Sequence, residues 1–370
     1  MKHHVARVEA CLLAALLFSA SLQAEELESL RALVRAQGVS GREESVRREI
    51  LSHLRPDARA EVDNLGNVTV SLGDGRPLRL VLASMDEPGF VVTRIQEDGF
   101  LRVRRLARVP LPPLFEQYFV GQPLGIGTET PARTIPAVSA VLSTHLQRGR
   151  RSGAGAPPPR DEDLLVDLGA RSEAEARQAG VRLLAPVTLE KDLVPLAGGR
   201  VSGFALDDRV GCEALLRLAR RVDISRLKGQ VILAWAAQSW VGGRGAERLA
   251  RRFAPDEVLV VDLHAPDPPD SPAREPDGIP GRGPFLARSE GVDAKTERLV
   301  ARLRAAAREA DVSLQEVGFG SLHDGRAFQK RPVAVVGIPV RSPGTPAEVV
   351  DLDDLELLTR WLTIFLERKP

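Results

Sequence analysis

Apolar and polar positions alternate along this chain with two periods, one typical of helices and one typical of strands. Helical spacing of apolar residues runs through residues 25–36 and 43–54. Ser40 precedes the second segment and is predicted to cap its helix. The same spacing predicts four later helices, at residues 209–221, 245–252, 296–310 and 355–365.

Short apolar runs predict the strands. Residues 59–62 and 68–72 flank a turn-like Asn-Leu-Gly-Asn segment and predict a hairpin. Residues 78–83 are almost uniformly apolar, which is typical of a central strand buried on both faces. Further strands are predicted at 231–236, 258–262 and 333–338, between the helical segments. This alternation predicts an α/β fold with a mixed, mostly parallel sheet sandwiched by helices.

A segment of short strand-like runs interrupts the alternation of helices and strands. Residues 91–95, 101–105 and 123–127 alternate as short strands between Gly and Pro, and residues 148–159 are low in complexity. We therefore predict an inserted small β-barrel domain over residues 93–195. The α/β domain would then comprise residues 25–92 and 196–370.

The first 24 residues have the features of a signal peptide. Lys2 and Arg7 make the start basic, residues 11–18 are apolar, and Leu22-Gln23-Ala24 offers a small-residue cleavage site. The apolar run is shorter than the roughly 20 residues that span a bilayer. We expect a periplasmic or secreted protein that is not embedded in a membrane, with an uncleaved anchor as the alternative.

Charge and cysteine content narrow the class of partners. Without residues 1–24 the chain has 49 basic and 49 acidic residues, whereas nucleic-acid binders carry a basic excess on one face. No nucleic-acid partner is therefore expected. Cys212 would be the one remaining cysteine, so no disulfide within the chain is expected, and its apolar surroundings predict a buried side chain.

Four short motifs occur in a fixed order along the predicted α/β domain. They are Ala-Ser-Met-Asp-Glu at 83–87, Ala-Leu-Asp-Asp-Arg-Val-Gly at 205–211, Gln-Ser-Trp-Val-Gly-Gly-Arg-Gly-Ala at 238–246 and Val-Asp-Leu-His-Ala at 261–265. Together with residues 163–170 and 348–351, they resemble the tetrahedral aminopeptidases, co-catalytic metallopeptidases also described as glutamyl or deblocking aminopeptidases (metallopeptidase family forty-two). The similarity runs from about residue 25 to the C-terminus.

The resemblance implies a hydrolase in which two metal ions, zinc or cobalt, activate water beside a general base. Family members have a His in the first motif, an Asp in the second, two adjacent Glu in the third, an Asp in the fourth and a late His. On this pattern Asp207 matches the carboxylate that bridges the ions, and Asp262 matches a carboxylate of the second ion. Asp86 matches the acid that orients the first His from behind.

At the remaining positions of the pattern, this chain carries residues that cannot serve as the metal ligand or general base expected there. Ser84 stands at the first His, and Ser239 stands at the general base. Trp240 and Gly344 stand at two further ligands, the second Glu and the late His. Serine is a poor zinc ligand, and neither an indole nor a glycine offers a lone pair for a metal. The resemblance therefore identifies a degenerate member, in which Asp207 and Asp262 are the remnant of a two-metal site.

Three functions stay open at this point. The first is a non-catalytic homologue that binds peptides or a partner such as an active relative. The second is an active metallo-aminopeptidase with a rebuilt site that uses Asp207, Asp262 and either His264 or His323. The third is a structural periplasmic interaction protein. We expect no bound cofactor, or zinc or another divalent metal if the degraded site binds one. The family also implies a homo-oligomer, a dimer or larger.

Overall fold

The computed structural model describes residues 26–107, 114–129, 133–140, 160–264, 278–288, 293–318 and 324–368. The predicted signal peptide, the low-complexity segment 148–159 and His323 lie outside these residues. The described chain forms an α/β layer and a closed β-barrel, as the sequence predicted.

The α/β layer is built on an eight-stranded mixed sheet. In spatial order its strands are β1 (Ala60–Val62), β2 (Val68–Gly73), β12 (Gln230–Ala236), β3 (Leu78–Ser84), β13 (Glu257–His264), β16 (Val333–Pro339), β14 (Phe285–Ala287) and β15 (Gln315–Val317). The central strands β12, β3, β13 and β16 are mutually parallel and β14 pairs parallel with β15, whereas β1 with β2, β2 with β12 and β14 with β16 pair antiparallel. The central parallel strands are apolar along most of their length because both faces are covered.

Helices cover both faces of this sheet. One face packs in a large core against α1 (residues 26–35), α2 (Glu44–His53), α4 (Leu206–Arg221), α6 (Ala294–Glu309) and α7 (Leu352–Glu367). The other face packs against α5 (Arg244–Arg252) and the 3-10 helix Asp324–Phe328. A three-stranded sheet, β10 (Val194–Pro195), β11 (Arg200–Gly203) and β17 (Glu348–Asp351), lies beside them.

The barrel has a core of its own. It closes in the order β4 (Phe90–Ile95), β5 (Leu101–Arg105), β8 (Leu165–Asp167), β7 (Thr134–Ala140), β6 (Pro123–Gly127) and β9 (Pro186–Leu189), with α3 (Glu173–Ala179) following β8. Closure leaves no unpaired sheet edge. The inserted barrel is thus present, while the domain boundaries at 93 and 195 remain predictions.

Local details depart from the sequence-based predictions in two places. Ser40 does not cap α2: the helix begins after Glu43, and the Ser40 hydroxyl donates to the carboxylate of Asp86 instead. Helix α4 begins at Leu206, three residues early, with non-helical backbone at Asp207 and Asp208. Among the described helices, none has the length and apolar character needed to cross a bilayer.

Candidate functional site: a carboxylate cluster at the sheet edge

The motif residues meet because parallel strands end at the same edge of the sheet. Ser84 is the last residue of β3 and lies level with Ala236 of β12. On the other side of β3, Val260 pairs with Leu82, so Asp262 of β13 lies level with Ser84. The turn after β12 brings Ser239 to the same edge.

Helix α4 delivers the second motif to this edge. Gly211 permits the approach, because a Cβ atom at this position would lie 3.0 Å from the side chain of Ala83 and 3.3 Å from the backbone oxygen of Val261. The start of the helix therefore lies against the ends of β3 and β13. This contact carries Asp207 and Asp208 next to Asp262.

Asp207, Asp208 and Asp262 form the centre of the site. Each offers a carboxylate oxygen within 4.8 Å of the others. Removal from water and the charges of Asp262 and Glu348 raise the pKa of Asp207 to about 7. Burial, followed by the neighbouring aspartates, holds the pKa of both Asp208 and Asp262 well above the usual range. Three acids thus face each other without a compensating cation among the described side chains.

A fourth acid, Asp324, accepts hydrogen bonds from both serines. Oγ of Ser239 donates to its Oδ2 atom at 2.6 Å, and Oγ of Ser84 donates to the same oxygen at 3.1 Å. Burial raises the pKa of Asp324 to about 6, although the two hydroxyls favour its ionised form. Ser239 and Ser84, which the resemblance matches to the general base and the first His ligand, are therefore engaged as hydrogen-bond donors.

Asp86 accepts hydrogen bonds from two backbone N–H groups and one hydroxyl group. Its carboxylate accepts the backbone N–H groups of Ser239 at 2.9 Å and Trp240 at 3.0 Å, in addition to the hydroxyl of Ser40. Burial raises its pKa. The indole of Trp240 is half-buried. Asp86 thus holds the turn after β12 rather than an imidazole.

Glu348 fixes the other wall of the site. One carboxylate oxygen accepts the backbone N–H of Asp207 at 3.1 Å, and the other accepts the backbone N–H of Gly344 at 2.7 Å. Burial raises the pKa of Glu348 to about 8. Gly344, which the resemblance matches to the late His, thus contributes a backbone contact and no side-chain ligand.

These donors do not fit a co-catalytic zinc pair. Such a site combines imidazole and carboxylate ligands, and in the part of the chain that the structure describes no histidine belongs to the cluster. His264 packs its ring against Phe285, with 5.7 Å between ring centroids. The group of Asp207, Asp208 and Asp262 does not include His264, and His323 lies outside the described residues, so the alternative of a rebuilt site stays a prediction. Three carboxylates suit a single hard cation better than zinc.

The sequence identified some members of this site and missed others. Asp86, Asp207 and Asp262 converge as expected, together with the substituted positions Ser84, Ser239, Trp240 and Gly344. Asp208 was not predicted as a site acid, although it directly follows Asp207 in the motif. Asp324 was not predicted as a site residue, because no local pattern indicates that it meets Ser84, which lies 240 positions earlier in the chain.

The comparisons with known proteins agree with this architecture. The family model described as M42 glutamyl aminopeptidase matches residues 66–360. The chain belongs to this family. Its members are metal-dependent aminopeptidases. The putative aminopeptidase SgcX of Escherichia coli K12 is 31% identical over 365 residues, which cover 91% of this chain and 92% of the relative. Lysyl aminopeptidase of Pyrococcus furiosus is 26% identical, with 93% and 97% covered.

Solved structures of the M42 family have the same fold. The TET1 peptidase of Pyrococcus horikoshii, which assembles into a tetrahedron or a large octahedral shell, superposes with a TM-score of 0.80 at 28% identity. The alignment covers 92% of this chain and 99% of that structure. A TET aminopeptidase from a marine-sediment thaumarchaeon gives a TM-score of 0.80 at 27% identity, with 93% and 97% covered. The α/β layer and barrel of this chain are therefore those of the TET peptidases.

Proposed function

We propose that this M42 homologue is non-catalytic and that it binds peptides or a partner protein outside the cytoplasm. One observation carries the proposal: the hydroxyls of Ser84 and Ser239 both donate to Asp324. A general base must accept a proton from water, and a metal ligand must offer a lone pair to the ion. Ser84 and Ser239 instead carry neutral hydroxyls that donate to a buried carboxylate, and neither offers the imidazole or carboxylate of the family pattern.

Charge balance supports the same proposal. In the family pattern, the positions of Ser239 and Trp240 carry two glutamates, whose negative charges a metal pair would neutralise. Neutral side chains at both positions remove two charges beside Asp86, Asp207 and Asp262. Without metal, this lowers the repulsion among buried acids. Loss of the base alone would slow hydrolysis by about 10²–10⁴.

Location and assembly belong to the proposal. The basic start and apolar run of residues 1–24 support export to the periplasm or beyond. The shells formed by the TET1 peptidase support a homo-oligomer, because this chain has the same barrel and α/β layer. Peptides are the proposed ligand class because the relatives are aminopeptidases.

The test is metal content together with turnover. The purified chain is analysed for bound metals and assayed with aminoacyl chromogenic substrates in added zinc, cobalt or manganese. We expect no stoichiometric metal and no metal-dependent turnover. A restored variant, Ser84→His/Ser239→Glu/Trp240→Glu/Gly344→His, should regain zinc binding. Stoichiometric metal in the natural chain, with turnover lost in Asp207→Asn, would overturn the proposal.

The acid triad favours one second candidate, a hydrolase with altered metal chemistry. Asp207, Asp208 and Asp262 present ligand atoms within 4.8 Å of each other, and carboxylates suit magnesium or calcium. Turnover supported by magnesium or manganese but not by zinc would identify this candidate. Loss of that turnover in Asp208→Asn would assign it to the triad.

A further inference from the structure

A cavity lies between the barrel and the start of helix α2. Its lining residues are not part of the carboxylate cluster. Its volume is about 330 Å³, which is at the small end of ligand sites. The lining includes Arg42, Glu44, Glu129, Arg182, Leu183 and Leu184. The α/β domain contributes the first two of these residues and the barrel contributes the others.

The floor of this cavity is rigid. Gln37 is buried, and its side-chain amide donates to the backbone oxygen of Gly125 at 2.7 Å. Gly127 lies so close that a Cβ atom there would be 2.8 Å from Oε1 of Gln37. The cavity therefore has a fixed base at the junction of the two domains.

The charges around the cavity are balanced in number and sign. Arg182 is held by backbone oxygens at 3.0 Å, and its Nε atom lies 3.8 Å from Glu129. The guanidinium of Arg42 is exposed and has no ion pair with another described residue. Two arginines and two glutamates make the lining neutral overall, which favours a ligand that carries both charges over phosphate or a polyamine.

Two leucines beside these charges are unusually exposed. Leu183 is 52% and Leu184 is 53% accessible to solvent. The backbone of Leu184 is also left-handed, with φ of 63°, a conformation that residues other than glycine seldom adopt. Its N–H donates to the backbone oxygen of Val92 at 2.8 Å. A strained backbone thus presents an apolar side chain to the cavity mouth, and strain of this kind is common at binding sites.

We infer that this cavity binds a zwitterionic ligand with aliphatic side chains, a free amino acid or a dipeptide. Arg42 pairs with the ligand carboxylate, Glu129 and Glu44 face the ammonium group, and Leu183 and Leu184 cover the side chain. The inference rests on the proposed function only in taking peptides as the ligand class. It requires neither metal nor any group of the carboxylate cluster.

The experiment is calorimetric titration of the metal-free full chain with Leu-Leu. We expect a Kd of about 0.1–1 mM, the affinity of ordinary ligands with about 17 non-hydrogen atoms. N-acetyl-Leu-Leu lacks the ammonium group and Leu-Leu amide lacks the carboxylate, so each should bind at least about tenfold more weakly. Equal binding of the three compounds would overturn the inference. So would the absence of Leu-Leu binding at dipeptide concentrations up to about 10 mM.

Variants locate the ligand. Arg42→Gln and Glu129→Gln should each weaken Leu-Leu binding about tenfold or more, whereas Arg48→Gln, in helix α2 but outside the cavity, should not. If Asp207→Asn abolishes binding and Arg42→Gln leaves it intact, the dipeptide binds at the carboxylate cluster and the inference fails. Thermal melts of each variant establish that it is folded. Because binding is measured without metal, failure here leaves the turnover test of the proposed function unaffected.

Discussion

Ser239 donates a hydrogen bond of 2.6 Å to Asp324, a residue 85 positions away. The bond joins the turn after β12 to the 3-10 helix Asp324–Phe328, and Ser84 at the end of β3 shares the same carboxylate oxygen. Three segments that lie far apart in the chain are therefore joined by two hydroxyl groups and one carboxylate. The site is stabilised by its own hydrogen bonds.

Removing the hydroxyl of Ser239 should destabilise the fold. In Ser239→Ala, the buried carboxylate of Asp324 loses its shorter donor, which we expect to cost about 1–3 kcal/mol at pH 7. Urea unfolding measures the change. Ser225→Ala is the matched control, because its hydroxyl also donates to an aspartate, Asp223 at 2.7 Å, but on the surface. An equal loss in both variants would contradict the structural role of the buried bond.

Glu43 should make the protein less stable as the pH rises from acid to neutral. Burial and the charge of Asp86 raise the pKa of Glu43 to about 7, whereas an unfolded glutamate titrates near 4.5. Between these values the folded chain holds a proton that the unfolded chain has released, so the free energy of unfolding falls with rising pH. The loss attributable to Glu43 is up to about 3 kcal/mol.

The variant Glu43→Gln tests this dependence. Its amide oxygen can still accept the backbone N–H groups of Gly41 and Gln238, which Glu43 accepts at 2.7 and 3.0 Å. Unfolding free energies at pH 4.5 and 7.5 should therefore differ less in the variant than in the natural chain. Glu97→Gln makes the same charge change at an exposed position. An unchanged pH slope in Glu43→Gln would refute the assignment.

Metal chelation should leave stability unchanged. A metal at 100 times its Kd would stabilise the fold by about 2.7 kcal/mol, and its removal would lower the unfolding midpoint. We expect the same thermal midpoint with EDTA and with added zinc. The variant with four restored residues provides the positive control, since its midpoint should rise with zinc. A chelator-sensitive natural chain would instead indicate a bound cation.

The junction of the barrel and the α/β layer depends on a buried ion group. Glu87 pairs with Lys191, which follows β9, and with Arg209 of α4 at 3.2 Å. All three side chains are inaccessible or nearly so. Burial lowers the pKa of Lys191 to about 8 in spite of the charge of Glu87.

Breaking this group should be costly. Glu87→Gln leaves the buried cations Lys191 and Arg209 without a carboxylate, and we expect a loss of about 3 kcal/mol in unfolding free energy. The double variant Lys191→Met/Glu87→Gln should recover part of the loss, because it also removes one of the two uncompensated cations. No recovery would mean that the loss comes from packing and not from charge.

Much of the fold was predictable from local patterns. The apolar run at residues 78–83 became the central strand β3, and the hairpin of β1 and β2 formed where the turn residues predicted it. The interpretation of Ser40 as a helix cap was wrong, because its hydroxyl donates to the carboxylate of Asp86. A serine before a helix satisfies the same pattern in either case, and the choice depends on a residue 46 positions away.

The sequence by itself determined the α/β layer and the inserted barrel with its strands β4, β5 and β6, and it predicts the loss of the family's ligands and base at Ser84, Ser239, Trp240 and Gly344. Periodicity reports which positions are buried, and collinear motifs report which residues occupy known positions. Neither reports which buried polar groups meet. Only the tertiary structure joined Asp208 to the acid triad and set Asp324 against both serines, because a buried carboxylate takes its partners from every segment that packs around it.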